Sequence, residues 1–149
     1  MAIIESSFQR DANRVPITNK GLLETKAITY AAATTGAVGP TTLFTVTGTV
    51  IVNIFAVCST DLTGSGTIEV GISGNTAALI AQTTGTAIDA NEVWVDTAPA
   101  TVEAPLTDKI LTAGTDIIQT IATDTLTAGV LTYYCFWNPV SSDGLVVAA

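Results

Sequence analysis

The chain contains no histidine, so any chemistry it performs would rest on carboxylates and two cysteines. Histidine is the commonest general base and the commonest metal ligand in proteins. Without it, neither a Ser-His-Asp nor a Cys-His catalytic arrangement can be built. The cysteines, Cys58 and Cys135, are too few and too far apart in sequence to indicate a zinc site. The sequence therefore predicts a protein that is not an enzyme and that has no cofactor and no metal site.

The two cysteines lie in apolar segments typical of strands, IVNIFAVC and LTYYCFW. Free cysteine packs as a small hydrophobic residue, which favours two buried, reduced thiols. A disulfide would require the two Cα atoms to lie within about 7 Å of each other, and sequence alone does not decide this. The start of the chain has no basic region typical of a secretion signal, and we expect synthesis in a reducing compartment.

The carboxylates of the chain after residue 60 fall mostly in segments rich in turn residues. A glycosidase would need two acids about 5–10 Å apart across a cleft, and the spacing identifies no such pair. Residues 89–92 (DANE) resemble a fragment of a calcium loop but lack its glycine and its distal glutamate. We interpret the acids as solvated turn residues that bond to their own backbone. They are Asp61, Asp89, Glu92, Asp96, Asp108, Asp116, Asp124 and Asp143.

The segment YYCFW (133–137) predicts a strand with large side chains on both faces, because consecutive strand residues point to opposite sides. We expect one face to line the core and the other to contact another subunit. A ligand-stacking platform for sugars is the alternative interpretation. Trp94, with acids around it in sequence, is the aromatic residue that we expect to be exposed. One face of the strand would carry Tyr133, Cys135 and Trp137, and the other Tyr134 and Phe136.

Positive charge is concentrated at the start of the chain. Residues 1–26 carry four bases and three acids, a net charge of +1, whereas residues 27–149 carry one base, Lys109, and ten acids, a net charge of −9. The acidic body argues against binding to nucleic-acid phosphates. No stretch reaches the roughly 18 uninterrupted apolar residues of a membrane-spanning helix. We therefore expect neither a nucleic acid nor a membrane as a partner.

Residues 1–24 have no clear period, but they carry large apolar residues among the cations. A merely solvated tail would contain few such residues. Pro16 favours an extended backbone before it and breaks any helix. We predict an N-terminal arm, residues 1–24, that becomes ordered against a partner. The expected partner-binding residues are Ile3, Ile4, Phe8, Arg10, Arg14, Val15 and Ile17.

From residue 25 the pattern predicts a single all-β domain, residues 25–149. Short runs rich in β-branched residues, including many of the 27 threonines, alternate with turn signals every 8–12 residues. About eight strands in this arrangement indicate an antiparallel β-sandwich, and we expect a jelly roll. GSG (64–66) and GISGN (71–75) are interpreted as hairpin turns. The apolar end of the chain, SSDGLVVAA, could pair along the edge of a neighbouring molecule.

The segments IIESSFQRDANRVPI, LFTVTGTVIVNIFAVCSTDLTGSGTIEVGISGNTAALIAQTT and YYCFWNPVSSDGLVVAA resemble small proteins of tailed bacteriophages and prophages that accompany head-assembly proteins. The resemblance implies a capsid decoration (cement, or auxiliary head) protein. Such proteins are commonly β-rich and often trimeric, and they clamp the seams between major capsid subunits, sometimes through an extended arm.

The resemblance therefore leads us to expect a homotrimer, made in the host cytoplasm, that binds the major capsid protein on the outer surface of the virion. Two alternatives remain open at this point. One is a head-fibre or tail-associated module that recognises host glycans, through Trp94 or an aromatic residue of a loop. The other is a tail-tube or head-completion subunit, which would form rings of about six subunits.

Overall fold

A computed structural model describes residues 21–103, 107–112 and 114–149. These residues form two antiparallel sheets and one 3-10 turn, Gly85–Ala87, which confirms the predicted all-β class. They contain ten strands, whereas about eight were expected. In chain order the strands are β1 (Leu22–Thr29), β2 (Gly39–Thr47), β3 (Val50–Thr63), β4 (Thr67–Ile72), β5 (Asn75–Thr84), β6 (Val93–Trp94), β7 (Lys109–Leu111), β8 (Ile117–Ala122), β9 (Ala128–Pro139) and β10 (Leu145–Ala148).

The strands pair in a nested pattern. Sheet 1 has the order β1-β9-β3-β6, with β7 also paired to β3, and sheet 2 has the order β10-β2-β8-β4-β5. The innermost pair is the hairpin of β4 and β5. Moving outward along the chain in both directions, β3 pairs with β6 and β7, β2 pairs with β8, and β1 pairs with β9. The chain therefore runs out and back as one long antiparallel ribbon whose strands are distributed between two sheets.

Strand β9 supplies the middle of sheet 1, and its two faces differ as its sequence predicts. Tyr133, Cys135 and Trp137 are buried, whereas Tyr134 and Phe136 are only half-buried. The buried set faces sheet 2, because it joins the core formed with residues such as Phe44, Ile80 and Ile117 of that sheet. The core is thus built from alternate residues of both sheets, as in sandwiches generally.

In strand β2 the alternation expected from sequence is interrupted by an irregularity. The pattern places Leu43 on the face opposite Phe44 and Val46, yet all three side chains are buried. The pairing of β2 with β8 shifts register between Thr42 and Phe44. Such a β-bulge adds one residue on one strand and redirects the side chains beside it. Strict alternation therefore fails at this position.

Strand β10 completes sheet 2 of its own molecule. Its residues Leu145 to Ala148 pair with Thr47 back to Phe44 of β2. The main-chain N–H of Ala149 also donates a hydrogen bond to the carbonyl oxygen of Leu43, at 3.0 Å. Strand β10 is the edge strand of sheet 2, and the pairing of this edge with a neighbouring molecule stays a prediction.

The first strand begins earlier than its sequence pattern indicates. The alternation suggests a start at Lys26, but β1 starts at Leu22, which pairs with Trp137 of β9. The residues 22–24, which we assigned to the arm, are therefore part of sheet 1. Residues 1–20 lie outside the described residues.

Only one of the two glycine-rich segments forms a hairpin turn. Gly74, at φ +88°, lies between β4 and β5, which pair as a hairpin. A positive φ is accessible to glycine without the steric penalty of a side chain. Residues 64–66, by contrast, connect β3 of sheet 1 to β4 of sheet 2. The interpretation of that segment as a hairpin turn is wrong, because its flanking strands belong to different sheets.

A buried polar cluster joins the two sheets. The hydroxyl groups of Tyr30, directly after β1, and of Tyr133 both donate to Oε1 of Gln119 in β8, at 2.7 and 2.8 Å. The two hydroxyl oxygens lie 2.9 Å apart. Burial raises the pKa of both tyrosines well above the usual value, so both hydroxyls stay protonated. Hydrogen bonds of this kind compensate the cost of placing polar groups inside a core.

We expect Tyr133→Phe to lower the free energy of unfolding by about 1–2 kcal/mol, because the ring is retained while one buried hydrogen-bonding group is lost. Tyr134→Phe is the matched control, since its side chain is the next in sequence but lies half-buried on the opposite face. Urea unfolding of both variants measures the difference. Equal effects of the two substitutions would contradict a stabilising role for the buried cluster.

Candidate functional site

The partner-binding residues predicted from sequence all precede residue 21 and lie outside the described residues. Their assignment to a binding arm therefore stays a prediction. Within the described part of the chain, the other candidates are the carboxylates, the thiols, the aromatic residues and a cavity. The predicted residues are Ile3, Ile4, Phe8, Arg10, Arg14, Val15 and Ile17.

The acids interpreted as turn residues differ in their positions. Glu92 lies in a turn and bonds to backbone close to it in sequence, whereas Asp61 lies in strand β3, so its interpretation as a turn residue that bonds to its own backbone is wrong. Asp61 Oδ1 accepts a hydrogen bond from the N–H of Ala90 at 2.6 Å, and Glu92 Oε2 accepts one from the N–H of Asp89 at 2.9 Å. Hydrogen bonds from Ser65 and from the backbone hold the pKa of Asp124 below its usual value. These acids stabilise the turns between strands. The described residues include no group of three or more side chains suited to holding a metal ion.

The two cysteines are free and buried on the inner face of sheet 1. Cys58 lies opposite Leu131, whereas Cys135 lies opposite Ile54, which precedes Cys58 by four residues in β3. That offset corresponds to about 13 Å along the strands, which is beyond the reach of a disulfide. Burial raises the pKa of the Cys135 thiol to about 12 and also raises that of Cys58. Neither thiol is therefore an activated nucleophile.

Trp94 is fully buried, so the expectation that it is exposed is wrong. In β6 it pairs with Ala56 of β3, which directs its side chain into the sandwich. There its ring lies edge-on to that of Tyr133, with the centroids 6.5 Å apart. The acids near it in sequence belong to the adjoining turns and do not determine the direction of its side chain. Glycan recognition through Trp94 is excluded.

A small cavity opens between β3 and β5. Its volume is about 320 Å³, and polar and apolar groups contribute about equally to its walls, with Val52 and Ile54 on one side and Leu79 on the other. Asp96 and Lys109 also line it. One carboxylate and one ammonium group do not form a catalytic set by themselves, because no nucleophile or activated base accompanies them.

An uncharged surface rich in apolar side chains lies on the solvent side of sheet 1. Alternation and register place one set of side chains from β1, β9, β3, β6 and β7 on this side. None of these side chains carries a charge at neutral pH. We call this set the outer face of sheet 1. It comprises Leu23, Thr25, Ala27, Thr132, Tyr134, Phe136, Asn138, Ile51, Asn53, Phe55, Val57, Val93 and Ile110.

Aromatic rings occupy the centre of the outer face of sheet 1. The rings of Phe55 and Tyr134 are stacked, with centroids 5.0 Å apart and planes inclined by 11°. Phe136 lies 6.3 Å from Phe55 on the same face. At the margins, Leu23 is 47% exposed and Ile110 is 69% exposed. The stacked rings cover one another only in part, so the face remains an apolar surface in contact with solvent.

Acidic groups border this face. At its β7 side, Asp108 Oδ1 accepts a hydrogen bond from Asn53 Nδ2 at 2.8 Å. At one end, the turn that holds Asp89 and Glu92 lies beside Cys58, since the N–H of Cys58 donates to the carbonyl oxygen of Glu92 at 2.9 Å. The outer face of sheet 1 is therefore an uncharged area with carboxylates at its margin.

Sequence reasoning identified part of this surface. It placed Tyr134 and Phe136 together on one face of a strand and predicted that one of the two faces of that strand contacts another subunit. It did not identify Phe55 or Ile110, although the nearly continuous apolar run of β3 indicates a strand covered on both faces. The missing information is the register, which brings Phe55 directly opposite Tyr134.

No known protein family, curated protein or solved structure matches this chain. Within the described residues, no helix has the length and apolar character needed to cross a membrane. The candidate site is therefore defined by the geometry of the chain itself.

Raised thiol pKa values predict that the fold loses stability at high pH. In the unfolded chain a cysteine begins to lose its proton near pH 9, whereas Cys135 in the folded chain keeps it up to about pH 12. Between these values the unfolded state binds fewer protons, so the free energy of unfolding falls as the pH rises. We expect Cys135→Ala to make this decline shallower by about 1.4 kcal/mol per pH unit.

Urea unfolding at a series of pH values from 6 upward measures this effect. Between pH 6 and 8 the thiol is protonated in both states, so the parent chain and the variant should show parallel curves. Parallel curves above pH 9 as well would contradict the burial of the Cys135 thiol.

Proposed function

We propose that this chain is a structural protein of a tailed-phage virion, made in the host cytoplasm, that decorates the outer surface of the capsid. In this role the N-terminal arm binds the major capsid protein and the sandwich contacts other copies of the chain, as a homotrimer. The observation that carries the proposal is the division of charge between residues 1–26, at +1, and residues 27–149, at −9. A segment with a small positive charge and a strongly acidic domain suit contacts with two different molecular surfaces.

The nested strand pairing supports a jelly roll as the specific form of the sandwich. If β6 and β7 are counted as one broken strand and β10 as an addition, the sheets have the orders β1-β9-β3-β6/β7 and β2-β8-β4-β5. This arrangement corresponds to an eight-stranded ribbon wound into two four-stranded sheets, which is the jelly-roll plan. Jelly rolls occur in viral capsid proteins, but also in lectins and cupins. The fold alone therefore does not assign the function.

The completeness of the sandwich also supports a separate role for the arm. The described residues supply both sheets and a single buried cluster of hydrophobic side chains. Because the described strands begin at Leu22, we assign the apolar residues and cations of residues 1–20 to a contact outside this sandwich. An arm that crosses several capsid subunits would add contact area and avidity without a larger domain.

Charge and chemistry support a structural role over a catalytic one. Asp61 and Glu92 accept hydrogen bonds from backbone amides, and the thiols are buried with raised pKa values. Cations in the arm would bind an acidic or mixed capsid surface, where peripheral charges fix the register and the rate of association. Nothing in this proposal requires a cofactor.

Glycan binding by a head-fibre or tail-associated module is the second candidate. With Trp94 buried, this function would fall to the stacked rings of Phe55 and Tyr134, because sugars stack on exposed aromatic faces. A glycan array with the purified chain tests it. A tail-tube or head-completion subunit remains the third candidate, and light scattering would then detect rings of about six subunits rather than trimers.

We expect a chain that starts at Gly21 to keep its fold and lose capsid binding. Removing residues 1–20 leaves β1 complete, whereas a deletion to residue 24 would remove part of the strand. The measurement is co-sedimentation with undecorated capsids of the phage or prophage that encodes the chain. Far-ultraviolet circular dichroism and urea unfolding would show whether the sandwich is retained.

A full-length variant with Arg10→Glu and Arg14→Glu is the matched control for the deletion, because it retains the length and apolar residues of the arm. We expect it to bind capsids more weakly than the parent chain and with less dependence on salt. If the shortened chain folds and still decorates capsids as the parent does, residues 1–20 are not the binding element.

A further inference from the structure

We infer that the outer face of sheet 1 is the surface through which one copy of this chain contacts another. This inference deepens the proposed function, in which the chain self-associates, by naming the surface that does so. Its centre is the stacked pair Phe55 and Tyr134, and its margins are Leu23 and Ile110. Contiguous exposed apolar surface of this kind usually marks a contact with another protein.

Charge identifies a second copy as the occupant. Each chain has a formal net charge of −8, so two copies repel each other over most of their surfaces. The outer face of sheet 1 carries no charge, and its acids, such as Asp108, lie at its margin. Two copies that meet through this face bury uncharged side chains and keep their carboxylates at the solvated rim. This is the usual anatomy of a protein interface.

The other classes of partner fit this face less well. A nucleic acid or an anionic membrane would require basic side chains, and the outer face of sheet 1 has none. A strongly cationic partner would be attracted to the acidic margin but would gain little from the stacked rings at the centre. A self-contact uses both features, because the rings supply the attraction and the margin limits how the copies can approach.

The size of the face sets the expected strength of the contact. Four strand positions about 4.8 Å apart and about 24 Å long give roughly 460 Å² of flat sheet. A standard interface buries about 800 Å² of accessible surface on each partner. The self-contact is therefore expected at the small end of the range, with a population of oligomers that rises with chain concentration. In an assembly, binding to a common scaffold would strengthen it further.

Two geometries bury this face equally well. Two copies can pack their sheets against each other across a twofold axis, about 10 Å apart, as the two sheets of a sandwich do. Three copies can place the same face toward a threefold axis, each sheet forming one side of a prism. The measured mass gives the number of copies, and substitutions within the face test whether it is the contact surface.

The test is sedimentation velocity of the full-length chain and of two variants with the same change in charge. Thr25→Glu adds a carboxylate to the outer face of sheet 1, where Thr25 is exposed and lies opposite Tyr134. Thr45→Glu adds the same group to the solvent side of sheet 2, where Thr45 is exposed and lies opposite Val147. Urea unfolding checks that both variants keep the stability of the parent chain.

We expect the parent chain and Thr45→Glu to associate alike, as dimers or trimers, and Thr25→Glu to associate at least about tenfold more weakly. The reason is that the new carboxylate of Thr25→Glu would be buried without a partner. Raising the salt concentration from about 0.05 to 0.5 M should strengthen the self-association of the parent chain, because salt screens the repulsion between acidic margins.

Three results would overturn the inference: a parent chain that is monomeric at every concentration, a contact weakened by Thr45→Glu but not by Thr25→Glu, or a contact that salt weakens. The capsid co-sedimentation assay separates this inference from the proposed function. A Thr25→Glu chain that is monomeric but still binds capsids would support the self-contact and leave the arm as the capsid-binding element. Loss of capsid binding by the Arg10 and Arg14 variant, with self-association intact, would show that the two surfaces act independently.

Discussion

The hydrogen bonds that join Tyr30 and Tyr133 of sheet 1 to Gln119 of sheet 2 are the interaction on which the rest of the arrangement depends. A slip of one residue in β9 would turn Tyr133 to solvent and Tyr134 to the core. It would also leave the Gln119 side chain, which is fully buried, without these partners. An unpaired buried amide costs about 1–3 kcal/mol. The cluster thus opposes such a slip, and by fixing which residues of β9 face inward it also fixes which form the outer face of sheet 1.

Local alternation in the sequence predicted the fold class and the two faces of β9. It failed where register or bulges decide the outcome. Leu43 is buried beside Phe44 because a bulge redirects it, and no residue type in that segment signals the bulge. Trp94 is buried because the register between β6 and β3 places it opposite the buried Ala56, almost 40 positions away in sequence. Long-range pairing of this kind is not encoded in any short window.

The candidate site divides in a similar way. The arm residues, such as Arg10 and Arg14, were identified from composition and charge alone, and their role stays a prediction because they lie outside the described residues. Part of the outer face of sheet 1 was also evident in sequence, as Tyr134 and Phe136 on one face of a strand. The other part, centred on Phe55, required the pairing of β3 with β9. Charge and alternation are visible in the sequence itself. A surface built from five strands can be identified only when the pairing of those strands is known.

We propose two surfaces for this chain: the uncharged outer face of sheet 1 for contact between copies, and residues 1–20 for attachment to the capsid. The most direct test is a cryo-electron microscopy map of capsids decorated with the full-length chain. The account predicts copies that meet through the outer face of sheet 1, with residues 1–20 lying on the major capsid protein. A map in which this face is turned to solvent, or in which residues 1–20 fold into the core of their own sandwich, would contradict it.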